Sequence, residues 1–165
     1  METGLSKRTF LGAAAAAVGA FVVGGCSRSE AEASAETFEV TKSPDEWRAI
    51  LTPQQFAVLR EENTERAGSS PLDSEKRPGT FVCAGCALPV YKSEAKFDSG
   101  TGWPSFTAPI QGAVRTKPDR GLFGTRTEVH CRRCGGHLGH VFDDGPAPTG
   151  KRYCMNGVAM KFVAA

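Results

Sequence analysis

Two Cys-x-x-Cys units constrain this chain more than anything else in it: CAGC at residues 83–86 and CRRC at residues 131–134. Each holds two thiolates on one tight turn, and two such knuckles complete a tetrahedron around a single metal ion. Between Cys86 and Cys131 lie 44 residues, more than a compact zinc ribbon spans, so the fold of a whole domain has to bring the knuckles together. Zinc, one ion held by Cys83, Cys86, Cys131 and Cys134, is the expected occupant. With four thiolates around it no coordination position is open, so the ion is structural and does no chemistry. Two disulfides are the competing reading if the compartment is oxidising.

The N-terminus bears on that compartment. Lys7 and Arg8 precede the apolar run FLGAAAAAVGAFVV, and VGGC follows. The run is 14 residues long, short of the roughly 20 needed to span a bilayer, and it reads as an export signal over residues 1–26. SKRTFLG resembles the twin-arginine motif with lysine in the first basic position, and VGGC resembles a lipobox whose Cys26 is acylated. The alternative is an ordinary signal or short anchor that happens to contain a cysteine. The expected location is therefore outside the cytoplasm, either periplasmic or attached through Cys26 to the outer side of the cytoplasmic membrane. Cleavage at Cys26 removes Lys7, Arg8 and Glu2 and leaves a net charge of about +1. That is no basic excess for neutralising phosphates, so nucleic acid is not an expected partner.

Residues 27–42 begin with small, polar and acidic residues, SRSEAEASAETFE, and read as a disordered tether. The folded domain is expected over 43–165, a single unit by its length. SPDE at 43–46 and TPQQ at 52–55 each place a cap residue, a proline at the first helical position and Glu or Gln three residues after the cap. Two short helices follow from this. In the second, Phe56 and Leu59 share a core face. Beyond residue 78 short runs such as TFVC, PVYKS, TRTEVHC and VAMKFVA alternate with glycine and proline, so this part is β-rich.

With four cysteines assigned to metal, Cys154 in KRYCMNG is left without a sequence partner. GTGWPSF presents Trp103 on a loop held by glycines and proline, although a lone tryptophan is usually core. GGHLGHVFDD carries His137 and His140 upstream of Cys154. An imidazole near a thiol lowers its pKa from about 8.5 and makes it nucleophilic. His130, beside a knuckle cysteine, reads as a bystander.

LTPQQFAVLREENTER, CAGC, FDSGTGWPSF and RTEVHCRRCGGHLGHVFDDGPAPTGKRYCMN resemble, in this order and spacing, the methionine-R-sulfoxide reductase family, from about residue 44 to the end. The resemblance implies a mainly β fold of two antiparallel sheets with short N-terminal helices and a four-cysteine zinc site, working as a monomer. It implies reduction of the R epimer of methionine sulfoxide in oxidised proteins or peptides. Cys154 is then the nucleophile, Trp103 faces the substrate, and His137 and His140 are the active-site histidines. Asn156 is a polar helper that holds a histidine or the bound oxygen. Gly157 departs from the serine common at its position, a change expected to affect packing. Thr101 departs from a cysteine that, in many members, resolves the sulfenic acid. Reduction then needs an outside thiol, either a thioredoxin-like domain or a small molecule. Two rivals stand beside this reading: a zinc module whose Arg132 and Arg133 touch an anionic partner, and a thiol hydrolase using Cys154 and His140.

Overall fold

The computed structural model describes residues 36–121 and 124–165. The expected export signal, Cys26 and the tether up to residue 35 lie outside them. Among the described residues two α-helices lead into nine strands: α1 Pro44–Ile50, α2 Pro53–Glu61, β1 Gly79–Cys83, β2 Pro89–Lys92, β3 Lys96–Phe97, β4 Ser105–Phe106, β5 Val114–Gly121, β6 Gly124–Cys131, β7 His137–Phe142, β8 Arg152–Met155 and β9 Met160–Ala164. Both helices start as the sequence predicts. Ser43 and Thr52 each accept from the third helical N–H, while Glu46 and Gln55 reach back to the cap N–H.

The strands form two antiparallel sheets, one of order β2-β1-β9 and one of order β3-β4-β8-β7-β6-β5. The fold is mainly β, as the family resemblance implies. Aromatic rings of both sheets make the core: Tyr91 of β2 stacks on Phe106 of β4 at 4.3 Å, and Phe81 of β1 meets Phe106 edge-on at 4.9 Å. Burying rings of this size is the largest apolar contribution available to a small domain. The Tyr91 hydroxyl, buried with its ring, donates to Met155 Sδ at 3.1 Å. Trp47, Phe56 and Leu59 cover the core from the helices.

Strand β5 has no signature in the sequence, because VRTKPDRG is polar and contains proline. Its place explains this: it is the outer strand of the larger sheet, where proline costs no ladder bond and side chains face solvent. Residues 36–42 differ from the expected tether. Val40 N–H donates to the Arg133 carbonyl at 2.9 Å, and Phe38 packs edge-on to His130 at 5.9 Å. Glu36 pairs with Arg115 at 2.8 Å and Glu39 with Arg132. Composition gives this stretch almost nothing to bury, but the CRRC knuckle offers it arginines and a buried histidine ring.

Candidate functional site

The two knuckles are built alike. In each, the first cysteine's N–H donates five residues ahead, Cys83 to Leu88 at 2.8 Å and Cys131 to Gly136 at 2.9 Å. Its carbonyl accepts from the residue four ahead, Ala87 and Gly135 respectively. That residue takes positive φ in both, 58° for Ala87 and 66° for Gly135; glycine adopts this freely and alanine at a cost. Cys83 ends β1 in one sheet and Cys131 ends β6 in the other, so the cluster joins the sheets.

The four ligand sulfurs lie within 4.8 Å of one another, with Cys83–Cys134 at 3.7 Å and Cys86–Cys131 at 3.5 Å. All four cysteines are free, which removes the disulfide reading for the described residues. Tetrahedral bonds of about 2.3 Å to zinc require sulfurs about 3.8 Å apart. The cluster can hold a metal ion, and its spacing and donor set fit zinc.

Cys154 is on β8, facing Ser105 of β4 on one side and His140 of β7 on the other. His140 comes three positions after His137, a spacing that puts two side chains on opposite faces of a regular strand. The register between β6 and β7 slips at this point, with Val129 opposite Gly139 and His130 opposite His137, and the extra residue brings the imidazoles to one face, 5.3 Å apart. Gly139 permits it: a Cβ there would stand 2.2 Å from the Cys154 carbonyl oxygen.

Carboxylates that the sequence reading missed orient both rings. Asp119 Oδ2 lies 2.8 Å from His140 Nε2, and Glu128 Oε1 lies 3.0 Å from His137 Nδ1. Burial pushes His140 below the ordinary histidine value, against the opposing effect of Asp119. The His140 and Arg126 hydrogen bonds hold Asp119 below the usual carboxylate range. For Glu128, burial works upward, but hydrogen bonds from His137 and Lys117 outweigh it and the net shift is down. The signal was there in part: an acid in the β-like run TEVHC needs a partner once its strand is buried.

Trp103 is positioned by its loop. Gly102 has φ 86° and a Cβ on it would meet the Gly68 nitrogen at 2.8 Å, while Trp103 Nε1–H donates to the Glu65 carbonyl at 3.2 Å. Glu65 also accepts from Gly157 and Val158 N–H at 2.6 and 2.9 Å. Asn156 completes this tie: its Oδ1 accepts from Glu65 N–H at 2.9 Å and its Nδ2 donates to the Leu138 carbonyl at 3.2 Å. Its amide thus fastens β7 to the 63–66 segment, and neither histidine is its partner.

Trp103, His140, Cys154 and Asn156 line one open cavity of about 290 Å³, joined by Thr101, Arg126 and Arg152. His137 stands behind His140, outside the lining. Arg152, two residues before Cys154 and so on the same face of β8, is pushed up first by its bond to Asp144 and further by Cys154. A larger depression of about 880 Å³ lies beside α2 and the 3₁₀ turn Gly157–Ala159, but no cysteine or histidine lines it. The smaller cavity gathers the reactive groups: a thiol, a carboxylate-held imidazole, two guanidiniums and an indole.

A thiol, an imidazole and an apolar wall in one cavity are the parts from which a cysteine-based enzyme can be built. The SelR domain matches residues 51–164. Over 124 residues the chain is 53% identical to the peptide methionine sulfoxide reductase MsrB of Methanosarcina barkeri, covering 74% of this chain and 87% of that one. It is 53% identical over 124 residues to the MsrB of Bradyrhizobium diazoefficiens, covering 74% and 89%. With the MsrB of Leptospira interrogans it shares 47% over 126 residues, 76% of this chain and 96% of the relative. The chain belongs to the MsrB family of peptide methionine sulfoxide reductases.

Proposed function

We propose that this protein is an oxidoreductase that reduces methionine R-sulfoxide in oxidised proteins or peptides to methionine, through a sulfenic acid on Cys154. The observation that carries the reading is the shared cavity: Cys154, His140 and Trp103 line it together. The thiol proton passes to His140. With Nε2–H engaged by Asp119, the ring exchanges that proton through Nδ1. The thiolate then attacks the sulfoxide sulfur while the imidazolium protonates its oxygen, and that hydroxyl moves to the Cys154 sulfur as the new S–S bond breaks and the thioether leaves. Cys154–SH and the sulfoxide thereby yield Cys154–SOH and the thioether, so cysteine sulfur is oxidised by two electrons as methionine sulfur is reduced. Trp103 supplies an apolar wall for the substrate methyl and sulfur.

One structural zinc ion held by Cys83, Cys86, Cys131 and Cys134 keeps the sheets joined and takes no part in the reaction. Thr101 carries no thiol, and the four knuckle sulfurs are gathered in their own cluster. The sulfenic acid is therefore resolved by an outside thiol, a thioredoxin-like domain or a small molecule, which forms a mixed disulfide with loss of water; a second thiol then releases Cys154. The test is methionine release from separated R and S sulfoxide peptides with a chemical dithiol. Turnover of the R epimer alone is expected, and equal rates on both would refute the assignment.

Supporting the exported setting are Lys7-Arg8, the apolar run and VGGC. In this reading Cys26 is acylated after cleavage and attaches the enzyme to the outer side of the cytoplasmic membrane. Mass spectrometry of the chain made in its own cell should show a lipid on an N-terminal Cys26; an intact Met1 or a bare Cys26 would overturn it.

A further inference from the structure

Three hydroxyls form a chain that ends on the sulfur of Cys154. Ser105 Oγ, fully buried, lies 3.1 Å from the Trp103 carbonyl oxygen and 2.7 Å from Ser99 Oγ. Ser99 Oγ lies 2.8 Å from Thr101 Oγ1, and Thr101 Oγ1 lies 3.9 Å from Cys154 Sγ. A backbone N–H, that of Thr101, also reaches Ser99 Oγ at 3.4 Å. The chain thus has four links: carbonyl to Ser105, Ser105 to Ser99, Ser99 to Thr101, and Thr101 to sulfur.

Counting protons along it shows what it can do. With Cys154 as a thiol there are four protons for four links: S–H donates to Thr101, and each hydroxyl passes its proton onward until Ser105 donates to the Trp103 carbonyl. Loss of the thiol proton leaves three. If the three hydroxyls then reverse, Ser105 donates to Ser99, Ser99 to Thr101 and Thr101 to the sulfur anion, and only the carbonyl link is given up. Had Ser99 and Ser105 kept their old direction, two oxygens 2.8 Å apart would face each other with lone pairs. The reversed array aims every dipole at the negative charge, and hydrogen bonds to ionised groups are the strong ones.

We propose that Thr101 is a catalytic residue: its hydroxyl, backed by Ser99 and Ser105 as positioning residues, donates to the Cys154 thiolate and favours the nucleophilic form. The position that cannot resolve the sulfenic acid serves the attack that creates it. This rests on the proposed function only in taking Cys154 as the reactive sulfur. Other charged or titratable groups facing that sulfur are His140 from β7, Arg126 from β6 and Arg152 from its own strand. Asp98, at the base of the Thr101 loop, turns its carboxylate to the Gly100 N–H.

The test follows iodoacetamide alkylation of Cys154 against pH in the zinc-loaded chain, read from the mass of its peptide. Thr101→Val is expected to slow alkylation about tenfold at neutral pH and to move the rise of the profile to higher pH. The high-pH plateau, where the thiol is ionised in any case, should stay within about twofold of the parent. Thr101→Ser should keep the parent profile, and Ser99→Ala should fall between. A parent-like profile in Thr101→Val, or equal damage from valine and serine, would overturn the proposal and leave a packing role. If Thr101→Val loses its zinc or its cooperative melting, Ser99→Ala decides, since it leaves the contact to sulfur in place: an unchanged profile there also overturns it. Alkylation needs no sulfoxide, so a chain that reduced none would refute the proposed reaction and leave this result standing.

Discussion

Cys154→Ser should leave a folded, metal-bearing domain whose methionine production falls roughly 10³-fold or more, to the background of the dithiol alone. The reaction needs a soft, ionisable nucleophile to form a bond to sulfur, and a serine hydroxyl stays protonated at neutral pH. In the proposed mechanism His140, Asp119 and Arg152 cannot compensate, because they would move a proton and support an anion that no longer forms. The fold should not notice. Cys154 is only partly buried, and β8 is held by backbone pairing to β4 and β7. Zinc content and thermal melting should match the parent. Parallel assays of methionine release, metal content and melting decide the matter. Substantial residual turnover would show that another group attacks the sulfoxide, and loss of zinc would show that Cys154 belongs to the metal cluster.

Much of this was legible in the sequence where local chemistry repeats or punctuates. The caps Ser43 and Thr52 announced both helices, and the knuckles announced a metal cluster, because turns and caps are set by a few neighbouring residues. What escaped was set by pairing across strands. Strand β5 has no apolar alternation, since it is an outer strand whose Lys117 and Asp119 are there to meet Glu128 and His140. The carboxylate behind each histidine cannot be read from spacing: Asp119 and His140 are 21 residues apart and meet only across β6 in the sheet. Likewise the pairing of His137 with His140 contradicts the two-residue period of a strand until the slipped register is known. Asn156 was expected to touch a histidine or the bound oxygen, yet its amide is taken by Glu65 and Leu138. A polar side chain in a motif can be kept by the backbone it ties down as readily as by the substrate it touches.

Cys83→Ser and Cys131→Ser should show the opposite pattern to Cys154→Ser: metal and stability lost together, activity lost only as a consequence. Each cysteine ends a strand of a different sheet, so with zinc bound, losing either should open the link that the metal makes between β1 and β6. Structural zinc in small peptides contributes about 10–16 kcal/mol to folding, comparable to the whole stability of a typical domain, about 5–15 kcal/mol. Three thiolates retain part of that. Even a loss of roughly 3 kcal/mol corresponds to a fall in melting temperature of about 10 °C for a domain of this size. The apolar contacts around the cluster do not replace it, because Leu59 and Trp47 approach the knuckles against glycines, Gly85 and Gly136, that add no surface of their own. Metal analysis and thermal melting of both variants, alongside the parent treated with a strong chelator, should give the same two losses. A variant that melted like the parent without its zinc would show that the sheets hold each other through Tyr91, Phe106 and Phe81 alone, and that the knuckles serve something other than stability.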